Sequence, residues 1–580
     1  MTNKKVTRRG FLKGVAVAAG SGVLAACAPQ VVKETVIVEK PVEKVVEKVV
    51  KETVIVEGTP KVVEKVVTVA PPAKPEAPAP TGQVVIATTN LAICRNLHPD
   101  HCQYEIDHQI AAQVTEGLLG FSSKDLALYP RLAKSYEVLE DGKVLAFELR
   151  EGITFSNGMP LTAEDVKYGI EHLISNDAAT NGYKAMLITA EFKEVKVTGP
   201  LSLEVHLGKA STVVIEALAR IYFVPKALLE EETDSLTGSL ARYPIGTGPY
   251  IVTHHEMDDI TLEARPDYWG EPKPRIQKVV FPAYADEIAC AVAFRVGEAD
   301  VGQYVPEPME GLEKSGLTLL TSAALTYRSI YMDNTHPIIA DKTVRQALMH
   351  AIDRQAIIDD INLGWGVLST QMLPSSSPYF NPNVKQYDYN PEKAVEMLAG
   401  AGWTKGPDGV LQKDGEPFVV EIEAGATTKE QMDIAQFVQR QWKEIGVNAE
   451  IRQSADFSAR QAYMDSPQHG PMVWHTGITL DPVGSHMCCF GKDATWGGRN
   501  WENDELSALM EKAAAEFDFE KKKDLMWRLQ EITAEELPDF WLNNSVAGVL
   551  VKPNLRGITL NYGPGALGWL AHIEEWYWEE

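Results

Sequence analysis

Two cysteines and three histidines crowd one short segment: Cys94, His98, His101, Cys102 and His108. Thiolate and imidazole are ligands that zinc and nickel accept, so this spacing admits a metal site. It equally admits a Cys94–Cys102 bridge closing a loop with the histidines exposed. That reading is preferred to two free thiols and to a metal centre, so no metal and no other cofactor are assigned. Cys488 and Cys489 are adjacent; a bridge between neighbours is strained, so free thiols or pairing with a distant cysteine are expected. The scattered Ser, His and Asp residues form no nucleophile elbow, no phosphate-cradling P-loop and no His-Glu-x-x-His pattern. No catalytic residue is assigned, and an enzyme is not expected.

A sixth cysteine points to different chemistry. Arg8 and Arg9 lead into Phe11-Leu12-Lys13, an uncharged stretch runs from Gly14, and it ends in Leu24-Ala25-Ala26-Cys27. A basic start, a short apolar run and small residues before a cut make an export signal. The paired arginines resemble a Tat signal, and Leu24 to Cys27 resembles a bacterial lipobox. The mature chain is then expected to begin at Cys27, with lipid on its thiol and amine and residues 1–26 removed. The apolar run falls short of the roughly 20 residues that span a bilayer, so anchoring by acyl chains is expected rather than a transmembrane helix. This places the protein outside the cytoplasm, as a membrane-anchored lipoprotein of the cell surface or periplasm.

Residues 27–82 read as a stalk. Val31 to Glu39 recurs unchanged at Val49 to Glu57, and Lys44 to Val50 recurs at Lys61 to Val67. Val42, Val45, Val46, Val49 and Val50 fall at helical spacing, which suggests an amphipathic, self-associating helix. Valine's preference for strands, with Pro41 and Pro60, suggests an extended tether instead. Residues 70–82 form a stiff Pro/Ala linker. The 580-residue chain carries a net charge of −25, although residues 1–30 hold basic groups and no acids. Such an acidic body repels phosphate backbones, and no basic stripe offsets it, so nucleic-acid binding is excluded.

The folded body is expected to start near Gln83, with Gln83–Thr88 as a buried strand. Helices are expected from Thr162, where Thr162 and Asp165 suggest a capping box, over 341–359, 391–398, 429–445 and 503–516. Interspersed strands and helices over so long a body predict an α/β architecture of more than one lobe.

Several segments together resemble the extracellular solute-binding proteins that feed peptide, nickel and related ABC importers. They are Glu116-Gly117-Leu118-Leu119, Tyr129 to Glu137, and Phe147 to Gly158 running into Leu161 to Val166. There follow Pro244-Ile245-Gly246-Thr247-Gly248-Pro249-Tyr250, Val344 to Leu348 with Ala351 to Arg354, Asn390 to Ala394, and Trp442 to Val447. The glycines around Thr247 read as a tight turn needing freedom at φ. Arg345 and Asp353, two helical turns apart, read as sharing one helix face. The resemblance implies a periplasmic-binding-protein-like fold, in which two lobes with a hinge close over a cleft. Lobe I is expected from residues 83–120, 232–328 and 540–580, an inserted domain from 121–231, and lobe II from 329–539.

The same resemblance makes His475 to Pro482 a cleft-lining loop. Peptide-binding relatives hold the ligand's ammonium with an acid about four residues before an Asp-Pro pair. Here the pair is Asp481-Pro482, and that position is Ile478 or, in another alignment, Gly477. Trp474 and Trp496, with polar neighbours His475 and Asn500, suggest aromatic platforms for a solute. The expected ligand-binding set is therefore Trp474, His475, Asp481, Trp496 and Asn500. The expected partners are a small-molecule solute, the ABC permease subunits in the membrane, and the lipid anchor. A peptide is the leading solute and an oligosaccharide or another polar solute the alternative; an exported hydrolase is the reading set aside.

Overall fold

The computed structural model describes residues 32–34, 46–56, 59–69, 79–88, 96–102, 105–124, 127–284, 287–303, 316–425, 429–490, 500–560, 570 and 572–579. The chain divides into two compact units, Met1–Ala77 and Pro78–Glu580. In the first, Val32–Glu34, Val46–Val56 and Thr59–Val69 form a three-stranded antiparallel sheet. The helical reading of the repeats is therefore overturned. Valine is branched at Cβ, which restricts it in a helix and suits it to a pleated strand.

The second unit is organised by two long antiparallel strands, Thr318–Tyr331 and Asp539–Val551, paired from Thr318 with Val551 to Tyr331 with Asp539. At one end they join Val301–Gln303, Thr81–Ala87, Ile276–Pro282, Asp259–Ala264 and Tyr250–His255. At the other end they join Met472–Gly477, Val419–Glu423 and Asn448–Arg452. One pair of strands thus serves both lobes. Midway, Ala323 faces Val546 but Tyr327 faces Asn544, so the register slips. Extra residues in one strand bend it and raise its twist, which is the property a hinge needs.

Among the described residues, the second unit holds three large apolar cores. One contains Val84, Ile110, Tyr250, Phe281 and Trp576. Another contains Val344, Leu398, Trp442 and Phe540. The third contains Leu118, Phe147, Val166, Leu203 and Phe223. This last core lies under a four-stranded antiparallel sheet ordered Ala133–Leu139, Val144–Leu149, Ser202–Leu207, Phe192–Gly199. The helix Ala163–Ser175 starts as expected, with Thr162 N donating to Asp165 Oδ2 at 2.9 Å.

Two local expectations fail for physical reasons. The helix expected over 341–359 breaks into Lys342–His350, Arg354–Ala356 and a wide turn at Ile357–Ile361. Asp353 caps the second piece by accepting from Ala356 N at 3.0 Å, so it does not share a helix with Arg345. Arg345 instead donates to the carbonyls of Ile339, Ala340, Glu536 and Leu537, pinning the end of the helix Phe519–Glu536. Gly246 and Gly248 are absent from the positive-φ glycines. They are needed for close approach, since a Cβ at Gly246 would lie 2.1 Å from Val114 O and one at Gly248 2.6 Å from Gln113 O.

Candidate functional site

The short helix Val213–Leu218 and the following turn approach the loop after Gly477. Arg220 is fully buried there. Its guanidinium carbon lies 5.2 Å from the ring centroids of both Phe121 and Tyr183. Its nearest anion is Glu216, with Nη2 3.7 Å from Oε1. None of its three side-chain nitrogens has a hydrogen-bond partner among the described residues. A buried cation without acceptors is costly, and such groups concentrate at functional sites. His108 packs against Tyr183 and Tyr222. Burial, with Arg220 adding to it, pushes the imidazole down to about 3, so this neighbour stays neutral.

Glu216 faces the other way as well. Its carboxylate accepts from Leu480 N at 3.3 Å and from Asp481 N at 2.9 Å, both on the loop after Gly477. Burial raises its carboxyl pKa, against the lowering influence of Arg220 and these amides. Beside it, Asp481 Oδ2 accepts from Thr212 Oγ1 at 2.6 Å and pairs with Lys522 Nζ. Asp481 was expected to meet ligand. In this structure its carboxylate is engaged by Lys522 and Thr212.

The other expected site residues lie in separate surroundings. Trp474 is 8% exposed, stacked on Tyr331 at 5.4 Å, with the Arg460 guanidinium 4.0 Å from its ring centroid. Arg460 in turn pairs with Glu423 at 3.0 Å. His475 is on the opposite face of its strand, solvent-accessible yet hemmed in by protein. Burial, then the charge of Arg328, pushes its imidazole down to about 4. Arg328 pairs with Glu430 and donates to Ser545 Oγ at 2.5 Å, tying both long strands to the helix Lys429–Glu444. Asn500 is exposed with φ +44°, and Trp496 lies outside the described residues. Ile478 is fully buried in the lobe II core, whereas Gly477 is exposed and a Cβ there would meet open space. Beside the hinge, a pocket of about 230 Å³ is lined by Ala323, Leu368, Thr370, Phe380, Gln386 and Asn544, among others, with no charged side chain.

The histidine-rich segment is not as expected. Cys102 is a free, buried thiol whose Sγ donates to His98 O at 3.5 Å; Cys94, its expected bridge partner, lies outside the described residues. The histidines are buried rather than exposed. His98 Nε2 lies 2.9 Å from Glu232 Oε2, and His101 Nε2 lies 2.7 Å from Ser235 Oγ. His98 and His101 remain neighbours with ring centroids 5.8 Å apart, whereas His108 packs against Tyr183.

Comparison with known proteins identifies the scaffold. The family model described as "Bacterial extracellular solute-binding proteins, family 5 Middle" matches residues 127–497. The chain belongs to this family. It is similar to the oligopeptide-binding protein AppA of Bacillus subtilis, 28% identical over 466 residues, which cover 77% of this chain and 83% of that protein. It is also similar to the nickel-binding periplasmic protein of Escherichia coli, 28% identical over 384 residues, 63% of this chain and 71% of the relative. Among solved structures, HbpA2 from Haemophilus parasuis superposes with a TM-score of 0.75 at 23% identity, over 86% of this chain and all of that one. The two-lobed α/β fold expected from the sequence is the fold of this family.

Arg220 and Glu216 were missed in the sequence. A signal was present: Arg220 is the single cation inside the apolar run from Val213 to Val224. A lone arginine in such a run is either paired in a core or aimed at a ligand, and only the fold distinguishes these.

Proposed function

We propose that this protein is the substrate-binding lipoprotein of an ABC importer and that it captures carboxylate-bearing solutes, short peptides foremost, for a membrane permease. The observation that carries this reading is Arg220, buried between Phe121 and Tyr183 without a hydrogen-bond acceptor among the described residues. A guanidinium presents a planar fork that matches a carboxylate, and in a dry site that bond is strong. The moving bodies are lobe I (83–120, 232–328 and 540–580) with the inserted domain 121–231, and lobe II (329–539). Aromatic and polar groups at Trp474, His475 and Trp496 contribute to the cleft wall. The solute is bound and handed on chemically unchanged.

Calorimetric titration tests this. Trialanine should bind, its C-terminal amide should bind at least tenfold more weakly, and Arg220→Met should abolish that difference. Equal affinity for acid and amide in the unsubstituted protein overturns the carboxylate reading. The uncharged pocket at the hinge favours a second reading, an oligosaccharide ligand; saturable binding of maltotriose with no response to trialanine supports it.

The name of the AppA relative supports the peptide class, and that of the nickel-binding relative supports small polar solutes more broadly. No helix among the described residues is long and apolar enough to cross a membrane. Attachment is assigned to lipid on Cys27, after export directed by Arg8 and Arg9; these three residues lie outside the described residues. Cys27→Ala should move the protein from the membrane fraction to the soluble one, and unchanged partitioning refutes the anchor.

A further inference from the structure

We propose that Glu216 is a charge-swap switch that makes closing of the lobes depend on an anionic group arriving at Arg220. The inference rests on the reading of Arg220 as the solute's anchor, and deepens it by naming the residue that couples binding to closure.

Two sets of partners compete for one buried carboxylate. Glu216 accepts from the amides of Leu480 and Asp481, which belong to lobe II, while Arg220 on its own segment stands 3.7 Å away without a hydrogen bond to it. When lobe II swings away, the two amides leave with it. Glu216 then keeps one partner of opposite charge, Arg220, and a small rotation makes that pair hydrogen-bonded. When lobe II returns, its amides draw Glu216 away from Arg220, and the guanidinium is left buried between two aromatic rings. A buried guanidinium that keeps only a 3.7 Å ion pair and no hydrogen bond is unfavourable. A carboxylate on the solute removes that cost, because it supplies the acceptor that Glu216 has withdrawn. Closure is then favourable when a solute of the right charge is present and unfavourable without it, as a population shift requires.

The rest of the junction holds the switch in register. Thr212 N donates to Ala514 O at 2.8 Å, and Thr212 Oγ1 bonds Asp481, so the segment bearing Glu216 docks at one fixed position on lobe II. Lys522 neutralises Asp481, which keeps that carboxylate from competing for Arg220.

Hydrogen exchange on the full chain without solute tests the switch, read at the amides of Leu480 and Asp481. Arg220→Met removes the charge that penalises closure, so these amides should exchange at least threefold more slowly than in the unsubstituted protein. Adding Glu216→Ala to Arg220→Met removes the acceptor and should abolish the slowing. Protection in the helix Ala163–Ser175 reports whether the fold is intact, and Arg220→Gln replaces Arg220→Met if it is not. No slowing in an intact variant, or slowing that persists in the double variant, overturns the proposal. Failure of trialanine to bind, with the exchange responses present, would sink the peptide reading and leave the switch. Binding of trialanine through Arg220, with no exchange response, would do the reverse.

Discussion

Thr212 and Asp481 are separated by 269 positions in the chain, yet Thr212 Oγ1 donates to Asp481 Oδ2 at 2.6 Å. Lys522 Nζ reaches both groups, so a hydroxyl, a carboxylate and an ammonium form one buried junction. It ties the segment at Thr212 to the loop after Gly477, where Glu216 meets that loop. This contact is polar, while Leu480 beside it packs against the apolar core that contains Val214.

Lys522→Met should lower stability by about 3 kcal/mol, the lower end of the range for breaking a buried ion pair, because opening lets water reach Asp481. Lys522 and Asp481 side chains are 4% and 11% exposed, so little solvent screens the pair. Lys522→Met combined with Asp481→Leu should recover most of the loss, since no unpaired charge remains. Urea unfolding of the two variants checks both statements.

Gly477→Asp should create selectivity for a free peptide N-terminus. Gly477 is exposed, pairs with Thr326 at the hinge, and has open space where a side chain would project. Ile478, the alternative position for the acid of peptide-binding relatives, is buried in the core and is the wrong place to put it. Titration with trialanine and N-acetyltrialanine should show a difference of about tenfold or more in the variant, on the scale of a charge-assisted hydrogen bond. An equal response to both peptides refutes the placement.

Trp474→Ala should cost about 3–5 kcal/mol of stability, as for a buried aromatic. The ring is sandwiched between Tyr331 and Arg460 and packs with Met464 and Met472. Denaturant melting measures this, and titration on the same variant reports whether affinity falls too. Unchanged stability would refute the packing role, whatever the effect on affinity.

Acid should weaken the fold through Glu574. Its burial would by itself raise its pKa, but the His572 hydrogen bond and the charges of His572 and Arg131 outweigh that and hold it at about 2. A carboxyl depressed in the folded state contributes stability above its unfolded value of 4.5, and that contribution is lost as pH falls from there through about 2. The full contribution is about 3 kcal/mol. Glu574→Gln should flatten the acid limb of a stability–pH curve between these limits. A curve of unchanged slope would place the acid sensitivity elsewhere.

The sequence by itself carried the segments that resemble an export signal and a lipobox, the acidic body and the family scaffold, because each is written in contiguous residues. Helix starts were legible for the same reason: Thr162 with Asp165, and Asn503 accepting from Leu506 N, act within one turn. It also contained Arg220 in an apolar run, without showing what that residue faces. Only the tertiary structure decided that Asp481 is held by Lys522 and Thr212, that Cys102 is a buried free thiol, and that Gly246 and Gly248 serve close backbone approach. It also split the helix expected over 341–359, where Arg345 is spent on carbonyls brought in by another helix. The physical reason is common to these cases. Local spacing fixes the bonds a residue makes within a turn or along a strand, whereas the partner of a buried charge, thiol or glycine arrives from far along the chain and is set by how the lobes pack.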